Sequence, residues 1–262
     1  MDRNTLVQQG QEALEAGDAV KALGLFKKAQ QAGDFSAEIE ILIAESLEEA
    51  GKLKEAVQSL QKAVEMNPAD IDSRYSIGDL LFELNKFEAA QEMYQQITTE
   101  FPEESDAWVS SGLVHFHQER IDNAVECYEK ALQLSPDSIF AMNSLGDAYF
   151  AQGDVERAFS TFHAVIDLDP EDPQAYYNLA EMFCDADELD KAEKACSEAL
   201  KLDPGFAYAY LTLGNIYLDR DDNSQALHNF QEFLLHENSP AAEDIRAEVA
   251  AVVDGLKAEL NL

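Results

Sequence analysis

Few side chains in this sequence could carry out catalysis or bind a metal ion. His115 and His117 stand two residues apart, so on a helix their imidazole rings would point in different directions. The cysteines are Cys127, Cys184 and Cys196, and an odd number without C-x-x-C spacing argues against a disulfide framework or a zinc site. No nucleophile stands with a base in a recognisable catalytic motif. The sequence therefore predicts a protein that is not an enzyme and that uses no metal ion or other cofactor.

Carboxylates are the most abundant charged groups. The 262 residues include 52 Asp and Glu against 18 Lys and Arg, which gives a formal net charge of −34. Such a chain is repelled by nucleic acid and by anionic membrane surfaces, so neither is an expected partner. The N-terminal stretch lacks the apolar segment of a signal peptide, and no window approaches the length of a membrane span. We therefore expect a cytoplasmic protein, although a signal peptide that has already been removed would leave no trace.

The residues that must position these carboxylates recur every 34 positions. Five prolines keep this spacing: Pro68, Pro102, Pro136, Pro170 and Pro204. A small residue returns at the same interval: Gly10, Ala44, Gly78, Gly112, Gly146, Ala180 and Gly214. So does an alanine: Ala22, Ala56, Ala90, Ala124, Ala158, Ala192 and Ala226. A bulkier residue follows each alanine by four positions: Phe26, Leu60, Tyr94, Tyr128, Phe162, Cys196 and Phe230. A fixed period of this length is typical of a tandem repeat array.

Each repeat is predicted to contain two antiparallel helices. Gly146, in the middle of a first helix, is expected to leave room for Ala158 of the second helix, with Phe162 filling the space one turn further on. The first helices should end at Gly17, Gly51, Asn85, Glu119, Gly153, Asp187 and Asp221. All but Glu119 are residue types that tolerate a left-handed backbone, so a differently shaped turn is predicted at Glu119. The prolines should close the second helices.

This pattern resembles that of the tetratricopeptide repeat family, in which a large residue, Leu-Gly, Tyr, Ala, Phe and Pro recur over 34 residues. The motif stands here as Tyr210, Leu213, Gly214, Tyr217, Ala226 and Phe230, and again as Met142, Leu145, Gly146, Tyr149, Ala158, Phe162 and Pro170. Ser111 and His115 replace Leu and Tyr in one repeat, and Asp34 replaces the first proline. The resemblance implies an all-α, right-handed superhelical solenoid of antiparallel helix pairs.

Seven tandem repeats are predicted within residues 1–238. Their ranges are 3–36, 37–70, 71–104, 105–138, 139–172, 173–206 and 207–238. Residues 239–262 are predicted to form a C-terminal capping helix, since a repeat array needs a terminal element with a polar outer face. One helical stripe of that segment is apolar: Ile245, Val249, Val252, Val253, Leu256 and Leu260.

In tetratricopeptide repeat proteins the first helices line a concave groove that binds peptides, and the resemblance implies such a groove here. The candidate groove residues are Glu45, Glu48, Asp72, Tyr75, Asp79, Phe82, Glu83, Asp106, Val109, Phe116, Phe140, Asn143, Asp147, Phe150, Tyr177, Glu181, Tyr208 and Asn215. Five positions per repeat give 35 in total, of which 13 are acidic, seven are aromatic and none is Lys or Arg. The composition of the chain would give about 7 acids, about 3 aromatics and about 2 bases.

This excess predicts a protein or peptide partner that is basic and carries apolar anchors. Acids attract and orient cations, and aromatic rings supply contact area and cation–π faces. The lack of Lys and Arg excludes the clamp on a C-terminal carboxylate that some family members use. The expected function is a non-enzymatic scaffold for protein–protein interaction, such as an adaptor, assembly factor or chaperone. Two alternatives stay open: the acids only solvate a long, thin protein, or the chain is a structural protein that self-associates.

Overall fold

The computed structural model describes residues 2–33 and 35–261. Within these ranges the chain forms α-helices and one short 3-10 turn, and no β-strand. The α-helices are α1 (Arg3–Glu15), α2 (Ala19–Gln31), α3 (Ala37–Glu49), α4 (Leu53–Met66), α5 (Ile71–Glu83), α6 (Phe87–Glu100), α7 (Ser105–His117), α8 (Ile121–Leu134), α9 (Ile139–Gln152), α10 (Val155–Leu168), α11 (Pro173–Asp185), α12 (Leu189–Leu202), α13 (Ala207–Asp219), α14 (Asn223–His236) and α15 (Glu243–Leu260). The chain divides into two compact units, Met1–Pro136 and Asp137–Leu262. In each unit consecutive helices pack as pairs, which confirms the all-α repeat fold.

The helix boundaries follow the sequence period. The first helices of the pairs begin 34 residues apart, at Arg3, Ala37, Ile71, Ser105, Ile139, Pro173 and Ala207. Short polar side chains cap several of them; the Asp172 carboxylate accepts the N–H of Gln174 at 3.0 Å, and Pro173 fits the first turn because it needs no donor there. Five second helices end two residues before a period-34 proline, at Met66, Glu100, Leu134, Leu168 and Leu202, as predicted. Asp34, the exception in the first repeat, lies outside the described residues.

The turn inside every helix pair has a residue with a left-handed backbone at the same position, and Glu119 is no exception. Glu119 has φ 57°, as do Asp187 and Asp221. The N–H of the next residue, Arg120, donates to the carbonyl of His115 at 2.9 Å and closes the turn. The prediction of a different turn at Glu119 was wrong. Helix pairing imposes the left-handed conformation there even though a residue with a Cβ loses about 1–2 kcal/mol in it.

Five glycines in the first helices lie directly under an aromatic ring of the paired helix. A Cβ added to Gly146 would stand 2.4 Å from Cε1 of Phe162. The other pairs are Gly10–Phe26, Gly78–Tyr94, Gly112–Tyr128 and Gly214–Phe230. The sequence pattern placed Ala158 opposite Gly146 and Phe162 one turn further on, whereas the three atoms nearest the added Cβ all belong to Phe162. Side chains on a helix lean toward its N-terminus, so the Phe162 ring covers the turn that contains Ala158 and reaches Gly146 itself.

The two repeats with alanine in the glycine position have no aromatic residue opposite. Ala44 belongs to the repeat with Leu60, and Ala180 belongs to the repeat with Cys196; all four side chains are buried. A small or narrow side chain leaves space for the methyl group that a ring would fill. The two positions therefore vary together within this one sequence, as contacting residues in a close-packed core must.

Helix α15 packs against α14 in the second unit. The buried and partly buried members of its apolar stripe are Val249, Val253, Leu256, Ile245 and Leu260, and they join Phe230 and Phe233 in one cluster. Val252 was placed on the same stripe but is 37% exposed. Its angular position turns it to the edge of the stripe, away from α14.

Candidate peptide-binding surface

The candidate groove residues all lie on the first helices of the pairs, and three such helices in each unit carry them. In the first unit, α3 carries Glu45 and Glu48, α5 carries Asp72, Tyr75, Asp79, Phe82 and Glu83, and α7 carries Asp106, Val109 and Phe116. In the second unit, α9 carries Phe140, Asn143, Asp147 and Phe150, α11 carries Tyr177 and Glu181, and α13 carries Tyr208 and Asn215. Spacings of three, four and seven residues place each set on one face of its helix. The acids on these faces are exposed, whereas Val109 and Asn143 are buried.

In the first unit the acids form a cluster around α3. Leu14, Glu15, Glu45, Glu48 and Glu49 line a cleft of about 520 Å³. Partial burial raises the pKa of the Glu45 carboxyl, and the charges of Glu48 and Glu49 raise it further. The pKa of Glu48 is also raised, first by burial and then by Glu83, Asp79 and Glu49. When ionised, these carboxylates repel one another, and none of Glu45, Glu48 and Glu49 is in a salt bridge with a described residue.

On α5 the acidic and aromatic residues are held in place by neighbouring side chains. The Tyr94 hydroxyl, whose ring lies over Gly78, donates a hydrogen bond to Asp79 Oδ1 at 2.6 Å. Phe82 packs edge-on against Phe87 and His117, with ring centroids 5.3 Å and 4.8 Å away. Both groups are therefore presented in a fixed orientation, which lowers the entropy lost when a partner binds.

In the second unit the central acids are Asp147 on α9 and Glu181 on α11. The Tyr177 hydroxyl donates to Glu181 Oε1 at 2.8 Å. The Asp147 carboxyl reaches solvent but is crowded by protein atoms, and this partial burial, with the charge of Glu181 as a smaller cause, raises its pKa to about 7. Glu181, Asp185, Asn215 and Asp219 line an adjacent cleft of about 280 Å³.

Besides the buried Val109, three positions differ from what the sequence pattern indicated. Asn143 is buried and its Nδ2 donates to Asp172 at 2.8 Å, so it supports the cap of α11. Cys184 and Thr212 also line the cleft beside Glu181. Cys184 was interpreted as packing only, and burial raises the pKa of its thiol, so it stays protonated at neutral pH. Cys184 stands 34 residues after Phe150, a candidate groove residue, and this spacing could have marked it as part of the same surface.

None of the site carboxylates forms a salt bridge with a residue that the structure describes. The salt bridges among the described residues involve other acids, such as the pair of Arg220 with Glu193 and the pair of Arg74 with Glu100. No group of three or more His, Cys, Asp or Glu in the described ranges could hold a metal ion. Along residues 2–33 and 35–261, no helix is both long and apolar enough to cross a membrane.

Paired helices at a constant 34-residue interval, with exposed polar and aromatic first-helix faces, define a helical-repeat protein of the kind that binds other proteins. Family models described as tetratricopeptide repeat match residues 75–139 and 143–205, and one described as TPR repeat matches residues 46–85. The chain belongs to the tetratricopeptide repeat family. No curated protein sequence matches it.

Solved structures with the same fold cover 64% to 96% of this chain. A tetratricopeptide repeat protein from Parabacteroides merdae is 19% identical, with a TM-score of 0.81 over 96% of this chain and 98% of that one. MamA from Desulfovibrio magneticus RS-1 is 21% identical, with a TM-score of 0.58 over 64% of this chain and 95% of that one. YrrB, a TPR protein with an unusual peptide-binding site, is 23% identical, with a TM-score of 0.52 over 70% of this chain and 95% of that one.

Thermal stability should fall as pH rises from about 5 to 8, in part because of Asp147. Its carboxyl holds a proton in the folded protein up to a pKa of about 7, whereas an unfolded Asp releases it near pH 4. The folded state is favoured by that difference below the unfolded pKa, and the advantage is lost as pH rises through the folded pKa. Asp147→Asn should therefore raise the free energy of unfolding at pH 8 by about 1 kcal/mol, after allowance for water at the exposed carboxyl, and the melting temperature should rise with it.

Melting curves of the parent, Asp147→Asn and Glu156→Gln between these pH values check this expectation. Glu156 is an exposed acid on α10 and serves as the matched control. The Asp147→Asn protein should lose part of the pH dependence that the control keeps. Parallel curves for all three proteins would contradict the assignment of a raised pKa to Asp147.

Proposed function

We propose that this chain is a non-enzymatic scaffold for protein–protein interaction, an adaptor, assembly factor or chaperone, which binds a basic segment with apolar anchors on its first-helix faces. The observation that carries the proposal is the set of mutually repelling carboxylates, which form no salt bridge with a described residue, beside half-buried aromatic rings. Membership of the tetratricopeptide repeat family supports the broader statement that this chain binds other proteins. The charge and the rings support the finer statement about the partner.

A cation from a partner would relieve the repulsion inside both acidic clusters. A Lys or Arg about 4 Å from a carboxylate gains about 1 kcal/mol in water and about 4 kcal/mol near a protein surface. Glu45, Glu48 and Asp147 should gain most, because partial burial and neighbouring carboxylates already raise their pKa values. Binding of a cation should lower these pKa values and release protons.

Apolar anchors of the partner would contact the aromatic rings of the same faces. Tyr75, Phe82, Phe116, Phe150 and Tyr177 are half-buried, while Phe140 and Tyr208 are 60% and 40% exposed. Rings that are already held in place lose little freedom on binding, and aromatic side chains supply much of the binding energy in protein interfaces. YrrB has a peptide-binding site on the same fold, and we infer an analogous use of this surface.

A reducing cytoplasm suits this proposal. The three cysteines are free thiols, as a reducing compartment keeps them, and Cys127 and Cys196 are buried. We therefore keep the cytoplasm as the proposed location.

Affinity capture on the immobilised chain tests the proposed function. Lysate proteins bound at low salt should elute as the salt concentration rises, because screening weakens contacts between exposed charges. Identification of the eluted proteins should show enrichment of Lys- and Arg-rich segments interrupted by apolar residues, and synthetic peptides of those segments should bind. Retention of acidic or neutral segments only would contradict the proposal.

A further inference from the structure

Helix α2 carries a basic outward face that the acidic first-helix surfaces do not explain. Among the described helices it is the only one with a net positive charge, since it contains Lys21, Lys27 and Lys28 and no acid. All three lysines are exposed, and Val20 on the same side is 77% exposed. In a chain with a net charge of −34, this basic face is suited to bind an acidic protein surface.

Gly24 lies in the centre of this basic face, and no contact within the chain requires a glycine there. The five other glycines in the first and second helices each make room for an aromatic ring, but a Cβ added at Gly24 would meet nothing within 4 Å. Glycine weakens an exposed helix relative to alanine, so its presence needs a benefit elsewhere. A missing side chain on an exposed face lets another backbone approach closely.

Helix α15 offers the complementary surface. Its acids are Glu243, Asp244, Glu248, Asp254 and Glu259, against two bases, Arg246 and Lys257. Val252 is 37% exposed beside them. Gly255 is the second helical glycine at which an added Cβ would meet nothing within 4 Å. Each feature of α2 therefore has a counterpart on α15: lysines face acids, an exposed valine faces an exposed valine, and both helices have an unfilled glycine.

We propose that α2 of one copy of this chain docks against α15 of a second copy. The two faces differ, so a pair joined by one such contact leaves one α15 and one α2 free. Association through these free faces produces open chains or closed rings, and two copies that make both contacts at once close as a dimer. A single helix face buries an area at the low end for specific interfaces, so the association is weak and grows with concentration. The proposal is independent of the first-helix acids, which take no part in it.

Charge reversal on each face tests the contact. Sedimentation velocity at about 0.15 M salt, where charges more than about 8 Å apart are screened, should show assemblies of the wild-type chain that grow over a hundredfold range of concentration. The variant Lys21→Glu/Lys27→Glu/Lys28→Glu should stay monomeric over that range. Its matched control, Lys54→Glu/Lys194→Glu/Lys201→Glu, replaces exposed lysines of other second helices, moves the net charge equally from −34 to −40, and should assemble like the wild type.

A mixing experiment identifies the partner surface. The variant Asp244→Lys/Glu248→Lys/Asp254→Lys should also be monomeric alone. An equimolar mixture of this variant with the α2 variant should assemble, because each altered face then meets an altered complementary face. A mixture that stays monomeric, a wild-type chain that stays monomeric, or equal behaviour of the α2 variant and its control would each overturn the proposal.

Gly24→Leu separates docking from folding. A leucine on this exposed face should raise the melting temperature of the monomer, because leucine is a better helix former than glycine. The same side chain should block close approach of α15 and weaken association at least tenfold. Opposite changes in the two measurements cannot come from misfolding, and unchanged association would count against the proposed contact.

Discussion

Replacing Gly146 by alanine should lower the free energy of unfolding by about 2 kcal/mol, because overpacking of a filled core costs about 1–3 kcal/mol. This loss outweighs the helix preference for alanine, which is about 1 kcal/mol. The new Cβ would stand 2.4 Å from Cε1 and 2.6 Å from Cζ of Phe162, whose ring is buried and cannot move into solvent. Denaturant unfolding followed by circular dichroism measures the change. Gly24→Ala is the matched control and should stabilise, since nothing lies near that position.

The second repeat of this chain supplies a compensating substitution for the same site. There, Ala44 belongs with Leu60, so Phe162→Leu should make room for the alanine at position 146. We expect the double variant to be more stable than the sum of the two single effects, with a coupling of about 0.5–3 kcal/mol, as for contacting residues. Additive effects, or a Gly146→Ala protein as stable as the parent, would show that the ring does not press on this position.

The sequence predicted the helix pairs, because a 34-residue interval repeats every boundary signal seven times. It did not predict which side chain meets Gly146. The 34-residue period assigns Ala158 to the recurring alanines and Phe162 to the bulky residues four positions later. Only the direction in which a helical side chain leans decides that the ring reaches the glycine. Glu119 shows the converse limit: its own conformational preference opposes the left-handed turn, and helix pairing overrides it.

The candidate surface was predictable in composition and only partly in geometry. The 34-residue spacing of Asp147 and Glu181 places them on neighbouring first helices, but the pKa of about 7 at Asp147 depends on how closely protein atoms surround the carboxyl. Tyr94 stands 15 residues from Asp79, and no sequence motif marks its hydrogen bond to that acid. Asn143 occupies the same position in its repeat as Tyr177, which predicted a place on the groove surface. It is buried instead, because its side chain reaches Asp172 at the cap of the next first helix.

Reversal of the acids on the first helices should weaken partner binding far more than reversal of acids elsewhere. We choose Glu45→Lys, Glu48→Lys and Asp147→Lys, because these carboxylates have raised pKa values and lie on the first-helix faces. Asp79 and Glu181 are left intact, since tyrosine hydroxyls hold them in place. The control reverses Glu65, Glu92 and Glu156, which are exposed on second helices. Both triple variants move the net charge from −34 to −28, so only the location differs.

The loss expected for the first-helix triple is about 2–5 kcal/mol of binding free energy, the range for charged contacts removed from an interface, whereas remote surface charges mainly change the association rate. Titration of a captured basic peptide at two salt concentrations, with dissociation rates followed separately, measures both effects. The first-helix triple should dissociate faster and lose most of its salt dependence, while the control should change only in its association rate. Phe150→Ala should weaken binding with the salt dependence intact, because it removes apolar contact and no charge. Equal losses for the two triples would mean that the acids only solvate the protein and that partners bind elsewhere.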